Sequence, residues 1–338
     1  MITIGIIGAN GLVGRAIVQS LEKLDYEDDD KYRFLFYGSQ DGIVQFNKYD
    51  RQIKKYNNKI LHFLDYCILA VDNDTSKDIY KYAVDNKLNL IIIDNSSEFR
   101  MCDNILLCIP EINAHKISRI NYLPYLIANP NCVTTLLCMC LKPLLDLANI
   151  KRIVLSTYQA ASGAGYKGLQ ELILQTKEIT TKVNITTDFW KKQYIHNVFS
   201  HNTKINSDNL YNDEELKIIK ETKKILDINP KITATCIRVP TLRSHCISVN
   251  IEFDKELQKD DILDRLKNFS GIQILDDNDN NQFPEPIITY NKTDVYIGRI
   301  RSDIDDNTCW NFFISGDQLL KGAGYNSGQI LDYLLKRF

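Results

Sequence analysis

The first forty residues constrain the architecture more tightly than any other stretch of the chain. "ITIGIIG" (2–8) is a short β-branched run of the kind that forms a buried parallel strand. "GANGLVG" (8–14) follows at once with glycines at 8, 11 and 14, and "RAIVQSLEKL" (15–24) carries apolar residues at helical spacing: Ile17, Val18, Leu21 and Leu24. "EDDD" (27–30) breaks that pattern as a solvated loop, and "RFLFYG" (33–38) reads as a second strand. Strand, glycine turn, helix and strand in this order open a doubly wound, Rossmann-like α/β sheet. Backbone N–H groups at the helix start can face a pyrophosphate there, and missing Cβ atoms allow its close approach. The spacing is G-x-x-G-x-x-G rather than G-x-G-x-x-G, so on spacing alone an ordinary tight turn is the alternative reading.

The alternation continues. "YCILAV" (66–71) and "LNLIIIDNSS" (88–97) read as strands around the helix "SKDIYKYAVDN" (76–86), and "NYLPYLIANP" (121–130) ends the unit near Pro130. From 151 the texture changes. "RIVLSTYQA", "ITATCIRVP", "HCISVNIEF", "DVYIGRIR" and "TCWNFFISG" are strand-like with fewer helices between them, as in an α+β domain with an open antiparallel or mixed sheet. The end of the chain, "LLKGAGYNSGQILDYLLKRF", reads as a helix that is apolar at Ile330, Leu331, Leu334 and Leu335. A chain of 338 residues holds two domains of ordinary size. The expected division is 1–130, completed by the helix at 318–338, and 131–317.

Composition excludes several classes. With 41 Lys+Arg against 43 Asp+Glu, the chain has no basic excess for nucleic acid and no basic stretch for a membrane surface. No window approaches 18 uninterrupted apolar residues, and the N-terminus lacks the basic region of a signal peptide. Nine cysteines at irregular spacing include no CxxC pair, which argues against a zinc ribbon or a redox dithiol and for reduced thiols in the cytoplasm. "DDNDNN" (276–281) lacks the glycine and glutamate of a calcium loop, so no metal is expected.

One cysteine stands apart. In "IANPNCVTT" (127–135), Pro130 stops a strand, Asn131 is a candidate N-cap, and Val133, Leu136, Leu137, Cys140, Leu141, Leu144 and Leu145 form the stripe of a buried helix. Cys132 therefore falls in the first helical turn, where unpaired N–H groups and the helix dipole favour a thiolate and can hold an oxyanion. A packed cysteine at a helix start is the plainer reading. Of the five histidines, His196 and His201 lie in a polar loop and His115 in a helical stretch, whereas His245 sits between two strands with Arg238 and Arg243 nearby. Two cations beside a histidine suit an anionic substrate, although a lone histidine is more often structural. "STYQAASGAGYKG" (156–168) runs from a strand through Gln159 into a glycine-rich loop, which is either a cofactor wrap or a linker.

Taken together and in order, "GANGLVG", "DNSSEFRM", "PEIN", "ANPNCVTT", "STYQAASGAG", "EELKIIKETKKIL", "ATCIRVPTLRSH", "VYIGRIR" and "SGDQLLKGA" resemble the aspartate-semialdehyde dehydrogenase family over nearly the whole chain. The resemblance implies Cys132 as nucleophile, Gln159 as the residue that orients the intermediate, and His245 as acid/base. It implies Arg238 at the substrate α-carboxylate, Glu214 at its amino group, and Arg100, Asn131 and Lys217 at the phosphate. For the cofactor it implies NADP bound by Gly8, Asn10, Gly11, Leu12, Val13, Ser39, Ser162, Gly163 and Gln318. The implied reaction interconverts L-4-aspartyl phosphate and L-aspartate 4-semialdehyde plus phosphate through a cysteine thioester. That step belongs to lysine (diaminopimelate), threonine and methionine biosynthesis, carried out by a homodimer or tetramer. The alternatives are N-acetyl-γ-glutamyl-phosphate reductase, against which "EELK" and the Arg238-to-His245 spacing count, and a catalytically silent nucleotide-binding scaffold. Two stretches depart from the family pattern. Asp41 stands where a basic residue is frequent, which leaves NAD open beside NADP, and "AVDND" (70–74) replaces a glycine-rich turn.

Overall fold

In the computed structural model, residues 1–117, 122–181 and 184–337 are described. Asn121, which opens the 121–130 sequence run, and Phe338, the last residue of the run expected to be helical, lie outside the described residues. The chain divides into two compact units, Met1–Asn131 with Ala323–Phe338, and Cys132–Gly322.

The first unit is built on eight strands: β1 (Ile2–Ile7), β2 (Tyr32–Gly38), β3 (Gly42–Phe46), β4 (Tyr49–Lys55), β5 (Tyr66–Leu69), β6 (Ile91–Asp94), β7 (Leu106–Leu107) and β8 (Tyr125–Ala128). Their order is β3-β4-β2-β1-β5-β6-β8-β7, and every pairing but β3–β4 is parallel. The continuous apolar runs of β1, β5 and β6 follow from this, because a parallel strand covered on both faces has no solvent side. The Leu12–Lys23 helix contributes Ile17, Val18 and Leu21 to the same core as Ile330, Leu331 and Leu334 of the Tyr325–Arg337 helix. Each such fully buried side chain contributes roughly 1.5–3 kcal/mol. The Tyr26 hydroxyl, in the loop after the first of these helices, donates to Asp332 Oδ1 of the second at 2.9 Å.

Two features of this unit differ from the sequence reading. The β3–β4 hairpin was not legible, because its two-residue turn is Asn47-Lys48 at φ 52° and 67° rather than the Asn-Gly that usually marks such a turn. The acidic loop 27–30 is also more than solvated. Asp28 accepts the Phe34 N–H at 2.6 Å and pairs with Arg51, and Asp29 accepts the N–H groups of Lys31 and Tyr32.

The second unit carries β9 (Ile150–Gln159), β10 (Phe199–Ser200), β11 (Lys231–Arg238), β12 (His245–Phe253), β13 (Ile272–Ile274), β14 (Val295–Ser302) and β15 (Cys309–Gly316). They form a mixed sheet in the order β10-β11-β9-β12-β15-β14-β13, with β11–β9 and β13–β14 parallel and the rest antiparallel. Burial alternates along β9 and β15, as it must when helices cover one face of a sheet and leave the other more open. The Cys132–Leu144 helix is buried on all sides rather than along one stripe, with only Cys132 and Lys142 less than fully covered. Within it, burial pushes the thiols of Cys138 and Cys140 far above their ordinary pKa, so both are packing residues.

Candidate active site

In the first unit, Gly8, Asn10, Gly11, Gly38, Ser39, Tyr56, Ala70, Val71, Asp72 and Thr75 line a cavity of about 470 Å³ at the carboxyl ends of β1, β2 and β5. Gly8 has φ +95°, and a Cβ there would lie 2.2 Å from the Ala70 carbonyl oxygen. A Cβ on Gly14 would lie 2.1 Å from the Gly8 carbonyl, so the turn can be this tight only with glycine at both places. Asn10 Oδ1 is buried without a hydrogen-bond partner among the described residues. Size, glycine turn and an orphaned polar atom fit a dinucleotide. Leu12 and Val13 open the helix and are not among the residues that line the cavity.

The two departures from the family pattern have different fates. Asp41 Oδ1 accepts the Lys55 N–H at 2.7 Å, and Asp41 is not among the residues that line the cavity. Asp72 instead caps the Asn73–Asp85 helix, accepting the Thr75 N–H at 2.9 Å, and leaves its carboxylate on the cavity wall. Those hydrogen bonds hold its pKa below the usual range.

In the second unit, three neighbouring strands end at one edge. Gln159 closes β9, Arg238 closes β11 as its register partner, and His245 opens the antiparallel β12 beside Tyr158 and Gln159. Adjacent strands lie about 4.8 Å apart, so the three side chains are neighbours by construction. Ala160, the next residue, fixes two of them. Its N–H donates to His245 Nδ1 at 3.0 Å, and its carbonyl accepts from Arg238 Nη1 at 3.0 Å. A Cβ on Gly163 would lie 2.9 Å from His245 Nε2 and 3.1 Å from Arg238 Nη1, so both groups converge on that glycine.

Further bonds hold this edge rigid. Gln318 accepts the Ser244 N–H at 2.8 Å and donates to Ser162 Oγ, joining the loop after β9 to the residue before His245. Ser244 sits at φ +72°, a conformation that costs about 1 kcal/mol or more for a residue with a Cβ. Arg238 lies over the Trp190 ring at 5.5 Å, and Tyr194 donates its hydroxyl to the Gln159 carbonyl. Arg243 does not join the cluster. Its Nε pairs with buried Asp317 at 2.7 Å, which leaves Arg238 as the cation beside His245.

The Asp213–Leu226 helix supplies Glu214 and Lys217 on one face. Gln159 Nε2 donates to Glu214 Oε1 at 3.3 Å, and Lys217 Nζ stands 3.9 Å from Glu214 Oε2. Glu215 makes the capping box with Asn212 and accepts the Cys236 N–H at 2.9 Å. Cys132 is the first residue of its helix, and a Cβ on Gly322 would come within 2.7 Å of Cys132 Cβ. Arg100 and Asn131 belong to the first unit, where both are buried and Arg100 Nη2 donates to the Asn95 carbonyl at 2.9 Å.

Charges in the second unit follow from this packing. Burial, then the Arg238 charge, depresses His245 to about 3 against a weaker upward pull from Glu214. His245 is therefore neutral near pH 7. Because Nδ1 accepts from Ala160, its proton sits on Nε2, the atom that faces Gly163. Burial also lowers the Arg238 pKa, although a guanidinium keeps its charge. The sequence reading set His201 aside as a loop residue, yet it is 7% exposed and is depressed to about 4 by burial, Arg238 and Lys217, with Glu214 opposing. Its flanking residues are polar, and the contacts that bury it come from β11 and the 213–226 helix, so no local signal marked it.

A family model described as "semialdehyde dehydrogenase, NAD binding domain" matches residues 3–120, and one described as "semialdehyde dehydrogenase, dimerisation domain" matches 141–321. The aspartate-semialdehyde dehydrogenase of Prochlorococcus marinus is 37% identical over 99% of this chain and 96% of its own length. The chain belongs to the aspartate-semialdehyde dehydrogenase family. A crystal structure of aspartate semialdehyde dehydrogenase II from Vibrio cholerae superposes with TM-score 0.91 at 28% identity, covering 99% of both chains. A second Vibrio cholerae structure of that enzyme, described as complexed with ASA, gives 0.90 at 26% identity over 100% of this chain and 99% of its own. These relatives bear out the family read from the ordered motifs and the α/β fold with a mixed second sheet. They do not favour the reductase or scaffold alternatives. The chain is thus an oxidoreductase with an NAD(P)-binding domain and a dimerisation domain.

Proposed function

We propose that this family member interconverts L-4-aspartyl phosphate and L-aspartate 4-semialdehyde plus phosphate with NADP, through a thioester on Cys132. The observation that carries the reading is the double clamp of Ala160, which fixes a neutral His245 with its proton on Nε2 and a charged Arg238 at one sheet edge. The Cys132 thiolate, favoured by its place at a helix start, attacks the acyl carbon; the C–S bond forms, the C–O bond to phosphate breaks, and the departing phosphate takes a proton from solvent. A bound nicotinamide cofactor supplies the hydride in one direction and accepts it in the other. The Nε2–H of His245 holds the oxyanion of the tetrahedral adduct, and collapse of that adduct returns the thiolate. Gln159 orients the adduct, Arg238 grips the α-carboxylate and Glu214 the α-ammonium. Lys217 takes the phosphate, so each anionic end of the substrate meets its own cation.

Gly8, Asn10, Gly11 and Ser39 would hold the cofactor in the first unit, with Leu12 and Val13 at the helix start. The unit Met1–Asn131 with Ala323–Phe338 acts as the nucleotide domain and Cys132–Gly322 as the catalytic and dimerisation domain of a homodimer. The step serves lysine, threonine and methionine biosynthesis in the cytoplasm, where cysteines outside any disulfide suit a reducing compartment. The test is phosphate-dependent reduction of NADP and of NAD by purified protein offered aspartate 4-semialdehyde or N-acetylglutamate semialdehyde. Turnover of the first with NADP is expected. Preference for the acetylated compound, or no dependence on phosphate, would overturn the reading.

A further inference from the structure

His201 links the two strands of recognition that the proposed function assigns to the amino-acid end of the substrate. The residues just before it, Phe199 and Ser200, pair with Arg238 and Ile237, and its own N–H donates to the Cys236 carbonyl at 2.8 Å. From there the chain turns to Thr203. Thr203 Oγ1 accepts the Glu214 N–H at 3.2 Å, taking up a backbone donor in the first turn of the helix that has no partner within it. The Thr203 hydroxyl has one proton, which faces Asn212 Oδ1 at 3.4 Å, and His201 Nδ1 lies 3.2 Å from Thr203 Oγ1. Asn212 Oδ1 accepts that proton as well as the Glu215 N–H, so Thr203 Oγ1 in turn accepts from the Nδ1–H of His201. His201 is held neutral by its burial and the facing charges of Arg238 and Lys217 against Glu214, with His245 also neutral.

We propose that His201 is a positioning residue for substrate-ammonium recognition: through the Thr203 hydroxyl it sets the Glu214 end of the helix against the strand that carries Arg238. A neutral imidazole at this point also adds no charge that would repel the ammonium. The inference rests on the reading that Glu214 takes the α-ammonium.

The variants His201→Phe and Thr203→Val each break the link once. Each should raise the KM for aspartate 4-semialdehyde about tenfold, the equivalent of one hydrogen bond of about 1.4 kcal/mol. The double variant should be no worse than either single, since residues in one relay are not additive. His201→Gln, whose amide N–H can donate to Thr203 Oγ1, should recover part of the loss. Succinate semialdehyde, the analogue without the amino group, serves as a competitive ligand, and its inhibition constant should stay put in all variants. A loss of general structure would move both ligands equally, and that result overturns the proposal, as does an unchanged KM or additive effects in the double variant. If His201→Phe does not fold, Thr203→Val with the two ligands decides alone. A wild type that does not turn over the semialdehyde overturns the functional reading itself, whereas an active wild type with indifferent variants overturns only this inference.

Discussion

Gly163→Ala probes the convergence of His245 and Arg238 with a single methyl group. Gly163 lies in the turn Ala161–Ala164, and its backbone is not in the left-handed region, so alanine is conformationally acceptable there. The new Cβ would stand 2.9 Å from His245 Nε2, 3.0 Å from Cε1 and 3.1 Å from Arg238 Nη1, where ordinary contact begins at 3.4 Å. Something must therefore move by about half an ångström. Neither neighbour can yield freely, because Ala160 holds both and lies three residues away in the same turn. Misplacement of reacting groups by about 1 Å costs roughly 100-fold, so half that distance at two groups should lower kcat/KM by roughly 10- to 100-fold. The control is Gly165→Ala. Gly165 has φ +83° and nothing within 4 Å of its Cβ position, so that variant should lose stability by about 1 kcal/mol and keep kcat/KM within about twofold. Initial rates and thermal melts on both proteins separate the two effects. A Gly163→Ala enzyme with wild-type kcat/KM would refute the convergence.

Two further outcomes follow from the charges. His245 at about 3 and His201 at about 4 both lie below the ordinary 6.5, so between pH 6.5 and 4 the unfolded chain binds protons that the folded chain refuses. Their contribution to stability is intact above pH 6.5 and is lost progressively as pH falls to about 4 for His201 and about 3 for His245, on the order of 3 and 5 kcal/mol respectively. Urea melts across that window should show a pH slope that His245→Gln lowers by about one proton, and an unchanged slope would contradict the buried neutral imidazole. Asp72→Asn keeps the helix cap and removes a charge from the cavity wall, so the KM for the cofactor should fall about threefold, while Asp41→Ala should leave the NADP-to-NAD ratio within about twofold. A larger effect at Asp41 than at Asp72 would mean that the 2′-phosphate end meets Asp41 after all.

What could be read from the sequence was local. The glycine turn, the apolar runs of β1, β5 and β6, and the place of Cys132 at a helix start all depend on residues within one turn or one strand of each other, and periodicity reports such relations. The β3–β4 hairpin escaped because Lys48 adopts a conformation that its residue type does not advertise. Side-chain direction was harder still. Asp41 and Asp72 are both acids near a strand end, yet only Asp72 is among the residues that line the cavity. Arg238 and Arg243 look equivalent beside His245 until Asp317, more than seventy residues away, neutralises one of them. His201 acquires its surroundings from Arg238, Glu214 and Lys217, which no window around position 201 contains.

The central claim is the thioester on Cys132, and mass spectrometry of the acylated enzyme tests it most directly. Wild-type protein is mixed with aspartate 4-semialdehyde and oxidised NADP without phosphate, quenched in acid and digested. The account predicts that the peptide carrying Cys132 gains the mass of one aspartyl group, that added phosphate discharges it, and that Cys132→Ala gives neither adduct nor turnover. An adduct on another cysteine, or phosphate-dependent turnover in Cys132→Ala, would contradict it.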